Sequence, residues 1–148
     1  MTGLQLLEGI RAGTIPSPGF AVLLDLTLDH VEEGRVTFAM TPGAAHLNPL
    51  GTVHGGLLAT MLDSAMGCAV QSVLPAGSSY TTLQLDVKYV RSPQLGDRIV
   101  AEGAIVHAGR RTATAEGRVL DAGGRLCAHA TTTCLVLPGD EVSARATP

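Results

Sequence analysis

Hydrophobic residues between positions 55 and 74 recur at the spacing of one wide helical face. The residues that follow this pattern are Leu57, Leu58, Met61, Leu62, Ala65, Met66, Ala69, Val70, Val73 and Leu74. A stripe this wide is typical of a helix that a core surrounds. The opposite strip is small and mildly polar, and Asp63 is its single ionisable group. We therefore predict one long buried helix that follows a glycine-rich turn and ends near residues 75–77.

The rest of the pattern predicts a short N-terminal helix and a series of strands. Residues 2–12 combine a capping threonine with a Leu and Ile stripe, as short amphipathic helices do. Residues 20–28 and 35–40 are predicted as two strands of an opening hairpin. A strand with one apolar face then follows, formed by Leu83, Leu85, Val87 and Tyr89. Turns separate the last three predicted strands, at 98–107, 111–120 and 125–137.

This order of elements predicts an α+β fold in which a curved antiparallel sheet wraps around a single long central helix. One helix cannot cover several long strands unless those strands curl around it. A chain of 148 residues suits a single domain. We expect residues 1–17 to form the N-terminal helix and linker, residues 18–137 the main domain, and residues 138–148 a flexible tail.

Composition and charge exclude several classes of function. A formal net charge of -3 argues against general nucleic-acid binding, which needs a basic excess. Asp63 at the middle of the helix argues against a membrane span. The N-terminus lacks the features of a signal peptide, and the three cysteines lack metal-ligand spacing and lie in apolar contexts. We expect a cytoplasmic protein with reduced, buried thiols and no metal.

Asp63 is the candidate for chemistry, because a carboxylate inside a buried helix needs either a partner or a task. The alternative is a structural aspartate bonded to a backbone donor or to an arginine. Gly55 and Gly56 begin the helix, where free N–H groups and the helix dipole can stabilise an oxyanion.

The spacing of these groups predicts a homodimer. Gly55 and Asp63 are eight residues apart, which is about 12 Å along one helix. A general base and an oxyanion donor must both lie about 3 Å from the same reacting centre. If both groups are catalytic, Asp63 of one subunit must face Gly55 of another, and a symmetric pair then holds two equivalent sites.

A family resemblance rests on the string N-P-L-G-T-V-H-G-G-L-L-A-T-M-L-D-S-A, on L-x-L-x-V-x-Y-x-R-S-P from Leu83 to Pro93, and on Gly109-Arg110-Arg111 at a hairpin. Over about residues 18 to 137 the chain resembles the hotdog-fold acyl-CoA thioesterases of the phenylacetic-acid-degradation type. The resemblance implies a hotdog fold and hydrolysis of an acyl-CoA to a free acid and CoA, without metal or organic cofactor. It also implies that the homodimers pair into a homotetramer.

The resemblance further implies roles for individual residues. Asp63 acts as the general base or as the nucleophile, and the N–H of Gly55 from the other subunit polarises the thioester carbonyl. Asn48 and His54 shape the same pocket, with Asn48 holding the attacking water or the thioester. Thr82 helps to position water.

Each of these roles has a structural alternative. His54 can simply brace the turn through a backbone hydrogen bond, and Asn48 before Pro49 can serve turn chemistry alone. Thr82 can be an ordinary strand residue. Thr81 is the fallback for its role, because the length of the preceding loop leaves one residue of uncertainty in the alignment.

The basic residues are unevenly distributed, since half of the ten Lys and Arg lie between positions 88 and 111. A cationic rim suits the phosphates of CoA, so Arg91, Arg110 and Arg111 are the candidates for binding them, together with Gly56 at the helix start. Arginines that merely solvate the ends of strands are the alternative.

Two other functions compete with hydrolysis. A hotdog dimer can bind acyl-CoA without turnover, and hotdog hydratases act on acyl thioesters through a different Asp and His motif that this sequence lacks. The presence of Asp63 on the polar strip favours the hydrolase. Aryl, hydroxyaryl and medium aliphatic acyl groups all remain open.

Overall fold

The computed structural model describes residues 1–139, which form three α-helices, one 3-10 turn and six strands. The helices are α1 (Gly3–Arg11), α2 (Gly19–Leu24) and α3 (Gly55–Ser72), and the 3-10 turn is Ala44–His46. The strands are β1 (Thr27–Glu32), β2 (Arg35–Met40), β3 (Ser79–Tyr89), β4 (Ile99–Ala108), β5 (Thr112–Leu120) and β6 (Leu126–Leu137). No helix in this part of the chain is long and apolar enough to cross a membrane.

All six strands join one antiparallel sheet in the order β1-β2-β4-β5-β6-β3, so β1 and β3 are its edges. The sheet curls around α3, which contacts every strand. At the centre of β4 the sheet approaches the helix so closely that a Cβ on Gly103 would collide with the backbone of Ala65. The predicted α+β architecture, one helix wrapped by a curved sheet, is confirmed.

The hydrophobic core lies between α3 and the inner face of the sheet. Every residue of the predicted helical stripe is buried except Val73, which is half-buried. Met61, Leu62 and Met66 are completely inaccessible to solvent. The alternation predicted for β2 is also confirmed, since Val36 and its inward neighbours are buried. Helical and strand periodicity thus locate the same core from two sides.

The N-terminal helix is confirmed with its cap. Thr2 Oγ1 accepts a hydrogen bond from the Gln5 N–H at 3.2 Å, and Gln5 Oε1 accepts one from the Thr2 N–H at 2.9 Å. This reciprocal pair is a capping box, which satisfies two donors at the helix start. α1 packs against β1 and α3, and its Leu7 is buried in the core.

The predicted first strand, residues 20–28, is wrong in its first half. Residues 19–24 form α2, which follows Pro18 and ends at Asp25 in the left-handed conformation (φ 55°). The run of Phe, Ala, Val and Leu is continuous rather than alternating, and such a run does not distinguish a strand from a short helix. The strand begins only at Thr27.

Two boundaries also differ from the sequence predictions. α3 ends at Ser72, a few residues before the predicted stop, and β3 begins at Ser79, so it includes Thr82. The predicted apolar face of β3 is not uniformly buried, because a bulge after Thr82 turns Leu83 outward and leaves it 59% exposed. The predicted tail, from residue 140 onward, lies outside the described residues.

Candidate active site

Asp63 is partly buried on α3 and faces β3. Thr82 Oγ1 donates a hydrogen bond to Asp63 Oδ1 at 2.9 Å. Within residues 1–139 no Lys, Arg or His forms an ion pair with this carboxylate. The described chain therefore does not contain the alternative of a structural aspartate neutralised by an arginine.

Two weakly acidic side chains, Cys68 and Tyr80, lie near the Asp63 carboxylate. Burial, with a smaller contribution from the charge of Asp63, raises the pKa of the Cys68 thiol to about 12. Burial likewise raises the pKa of the Tyr80 hydroxyl, and the charges of Cys68 and Asp63 add to the effect. Both groups therefore stay protonated at neutral pH, so neither adds a negative charge beside Asp63.

The start of α3 exposes a hydrogen-bond donor. His54 is the N-cap, and its Nδ1 accepts the Gly56 N–H at 2.9 Å. Because Nδ1 accepts, the neutral imidazole carries its proton on Nε2. The N–H of Gly55 has no acceptor among the described residues. It lies at the positive end of an 18-residue helix, where a developing oxyanion is stabilised.

Tyr89 is a further residue of the helix start, and sequence analysis missed this contact. Its hydroxyl donates to the Gly55 carbonyl oxygen at 2.7 Å, and its ring packs against the Gly55 Cα. The sequence contained Tyr89 only as a member of an apolar strand face. No local pattern joins two residues 34 positions apart, so this contact depends on the tertiary fold.

Asn48 is used by the turn that precedes the helix. Its Oδ1 accepts the N–H groups of Leu50 and Thr52 at 3.0 and 3.2 Å, and its Nδ2 donates to Thr52 Oγ1 at 2.8 Å. These bonds correspond to the structural alternative for Asn48. The second hydrogen on Nδ2 has no partner within residues 1–139 and can still reach a ligand.

The candidate arginines are exposed but do not form one cluster in a single chain. Arg91 follows the C-terminal end of β3. Arg110 and Arg111 lie at the β4–β5 turn. Because β6 pairs with both β5 and β3, this turn lies level with the N-terminal end of β3. The ends of this 11-residue strand are roughly 33 Å apart. Gly56, the remaining candidate, has its N–H occupied by His54.

The two halves of the candidate site lie at opposite ends of β3. Asp63 is hydrogen-bonded to Thr82 near the start of the strand, and Gly55 is hydrogen-bonded to Tyr89 at its end. A single chain therefore does not bring the carboxylate and the Gly55 N–H together. β3 is an edge of the sheet, with Leu83 and Tyr89 59% and 54% exposed.

A groove of about 730 Å³ lies on the outer face of the sheet. Charged side chains of both signs line it, among them Glu32, Arg35, Glu102, Glu116 and Arg118. It contains none of the candidate catalytic residues and lies across the sheet from α3. Among residues 1–139, no group of three His, Cys, Asp or Glu side chains is placed to hold a metal ion.

Comparison with known proteins identifies the family. The family description "Thioesterase superfamily" matches residues 50–128, which include the helix, the turn before it and β3. The chain belongs to the thioesterase superfamily. It is a thioester hydrolase with the hotdog fold, as the resemblance had implied.

Relatives of this thioesterase support the assignment along most of the chain. Acyl-coenzyme A thioesterase 13 of Mus musculus is 31% identical over 75% of this chain and 79% of its own length. A phenylacetic acid degradation-related protein of Ralstonia eutropha JMP134 has 30% identity and a TM-score of 0.79, covering 87% of this chain and 98% of its own. A Streptococcus mutans UA159 protein bound to acetyl CoA has 30% identity and a TM-score of 0.71, covering 76% and 89%.

Proposed function

We propose that this thioesterase hydrolyses acyl-CoA thioesters at two equivalent sites that a homodimer builds between its subunits. The supporting observation is the arrangement along β3, where Asp63 is held by Thr82 near one end and Gly55 by Tyr89 at the other. If two β3 edges pair antiparallel about a two-fold axis, the start of each strand lies beside the end of its partner. Asp63 of one subunit then meets Gly55 of the other.

The chemistry follows from these two groups. The thioester carbonyl oxygen accepts a hydrogen bond from the Gly55 N–H, whose helix dipole stabilises the charge that develops there. Asp63 either removes a proton from the attacking water or attacks the carbonyl carbon to form a mixed anhydride that water opens. Both routes release CoA as a thiol and leave a free carboxylic acid. Thr82 orients the carboxylate, and His54 presents its Nε2–H at the helix start.

Antiparallel pairing also brings together the arginines that are candidates for binding CoA. Arg91 at the end of one β3 comes close to Arg110 and Arg111 of the other subunit, which lie level with the start of their own β3. Such a cationic rim suits the phosphates of a nucleotide tail. The acyl-CoA thioesterase and the acetyl CoA complex among the relatives support this substrate class. A homotetramer of two dimers in the cytoplasm completes the proposal.

Release of free thiol from a panel of acyl-CoAs tests the proposal directly. The wild-type protein is expected to release thiol, and Asp63→Asn is expected to lower kcat by about 10² to 10⁴-fold, the usual contribution of a general base. The variant should still bind a non-hydrolysable S-alkyl-CoA thioether with wild-type affinity. Binding without thiol release by the wild type would instead favour the alternative, an acyl-CoA-binding protein without turnover.

A further inference from the structure

The first peptide unit of α3, between Gly55 and Gly56, is held at both of its polar atoms by side chains. The Tyr89 hydroxyl donates to the Gly55 carbonyl oxygen at 2.7 Å, and the Gly56 N–H donates to His54 Nδ1 at 2.9 Å. We propose that Tyr89 is a positioning residue that acts through this peptide and fixes two donors at the helix start, the Gly55 N–H and the His54 Nε2–H. The inference rests on the proposed function and adds to it a residue that acts without touching the substrate.

The other polar groups of this turn are also occupied. The His54 carbonyl oxygen accepts the Leu57 N–H at 3.0 Å, and the Gly56 carbonyl oxygen accepts from Thr60 Oγ1 at 2.9 Å. Among the N–H groups of residues 54–56, that of Gly55 is the one without an acceptor in the described part of the chain. The first N–H groups of a helix lack partners inside it, so the surrounding groups decide which of them stays free.

The two glycines make room for these side chains. An ideal Cβ on Gly55 would lie 3.1 Å from Tyr89 Cζ, and one on Gly56 would lie 2.9 Å from His54 Nδ1. These close approaches require glycine at both positions, although neither residue has a positive φ. The absence of side chains also leaves the peptide between them freer to rotate. Two consecutive glycines therefore need an external restraint, which the two hydrogen bonds supply.

Tyr89 can restrain the helix start because its own backbone is fixed. It pairs with Ala128 at the end of the β3–β6 ladder. The next two N–H groups, those of Val90 and Arg91, both donate to the Cys127 carbonyl oxygen, at 2.8 and 3.0 Å. Functional groups are held precisely when the residues that support them are themselves locked. The sheet thus provides a rigid anchor for the first turn of α3.

The hydrogen bonds run in one direction, from the Tyr89 hydroxyl through the peptide to the imidazole of His54. A hydroxyl that donates to the Gly55 carbonyl oxygen strengthens the Gly56 N–H as a donor, because hydrogen bonds in a chain polarise one another. That N–H requires an acceptor at Nδ1, so the neutral imidazole keeps its proton on Nε2. Tyr89 therefore favours the tautomer that presents Nε2–H as a donor.

The kinetic test uses Tyr89→Phe, which keeps the ring and removes only the hydroxyl. Its kcat for acyl-CoA hydrolysis should fall about 3- to 10-fold, because one neutral hydrogen bond that orients the donors is lost. KM should stay near the wild-type value, since the donors act on charge that develops only in the transition state. In a His54→Ala background the same substitution should cost less, because the peptide has then already lost its other restraint.

The spectroscopic test follows the helix start itself. In ¹⁵N NMR spectra the wild-type His54 imidazole should show the Nε2–H tautomer, whereas Tyr89→Phe should show a mixture of tautomers. Hydrogen exchange of the Gly56 amide should become about 3- to 10-fold faster in the variant. Tyr80→Phe, which removes the hydroxyl of the other tyrosine on β3, is the matched control and should change neither spectrum.

The outcomes separate this inference from the proposed function. Wild-type kcat in Tyr89→Phe, or a lower kcat with unchanged His54 and Gly56 signals, would overturn the positioning role and leave the hydrolase intact. A higher KM with kcat unchanged would also overturn it, because Tyr89 would then bind the substrate itself. An equal loss with and without His54 would contradict action through the shared peptide. If no acyl-CoA is hydrolysed, the NMR signals decide: changed signals support the restraint, and unchanged signals reject it.

Discussion

The two edge strands of the sheet differ in length and cover. β1 has six residues, and its exposed positions pair with neighbours, as Asp29 does with Arg98 at 2.7 Å. Helix α1 packs against it. β3 has 11 residues and leaves Leu83 and Tyr89 exposed. Short, covered edges resist pairing with another chain, whereas long, uncovered edges favour it.

This difference explains why the candidate chemistry lies on β3. Thr82 and Tyr89, the two strand residues that hold Asp63 and Gly55, both belong to the open edge. If a second copy pairs with that edge, assembly and completion of the site are one event. The protected edge β1 is instead covered by α1.

The largest effect is expected from a charge placed on the open edge. Leu83→Lys should prevent β3 pairing, because an ammonium buried between two strands is unpaired and desolvated. At micromolar protein concentration the variant should be monomeric and at least about 100-fold less active, since each site loses its oxyanion donor. Analytical ultracentrifugation and thiol release measure the two quantities.

Val106→Lys is the matched control for that variant. Val106 is 61% exposed on β4, an inner strand, against 59% for Leu83. The Val106→Lys protein should remain dimeric and active. A monomeric Leu83→Lys protein with full activity would separate assembly from catalysis and contradict the account.

A smaller effect is expected from the hydrogen bond between the open edge and the carboxylate. Thr82→Val removes a hydroxyl that donates to a charged acceptor, a bond typically worth about 1.5–3 kcal/mol, so kcat should fall about 10- to 100-fold. Thr82→Ser keeps the hydroxyl and should retain most activity. Thr81→Val tests the neighbouring threonine and should change little. Equal losses of kcat in Thr81→Val and Thr82→Val would show that the hydrogen bond from Thr82 to Asp63 does not contribute to catalysis.

The smallest effect is expected at the protected edge. Asp29→Ala removes an ion pair whose side chains are 44% and 53% exposed, and exposed pairs contribute about 1 kcal/mol or less. Urea unfolding should therefore shift slightly, and less in 1 M salt, where the pair is screened. The dimer and its activity should be unchanged. Dissociation of the dimer by this substitution would place the interface at β1 instead of β3.

Local sequence patterns predicted the central helix and the residue at its centre. The helical stripe, the capping threonine Thr2 and the isolated carboxylate of Asp63 each depend on residues within one or two turns of each other. The burial of the helical stripe and the start of the helix at Gly55 agree with the prediction. Thr82 lies beside Asp63, and its implied role in positioning water stays a prediction.

Local sequence patterns could not predict features that depend on contacts between residues distant in the chain. The hydrogen bond from Tyr89 to Gly55 joins residues far apart in the chain, and the β3 bulge that exposes Leu83 leaves no mark on the alternation. The short apolar run of α2 has no period, so tertiary packing against the gap in the sheet determines its conformation.

Complementation between two inactive variants tests the shared site most directly. Asp63→Asn removes the carboxylate, and Gly55→Pro removes the donor N–H at the first helical position, where proline is tolerated. Gly55→Ala is its control, because it keeps the N–H while placing a Cβ about 3.1 Å from the Tyr89 ring.

In a mixed dimer of these two variants, a site shared between subunits has one copy with both defects and one copy intact. Random exchange makes about half of the dimers mixed, so mixing and re-annealing equal amounts should restore roughly a quarter of wild-type thiol release. A mixture that stays as inactive as either variant alone, despite subunit exchange confirmed by native mass spectrometry, would contradict the account.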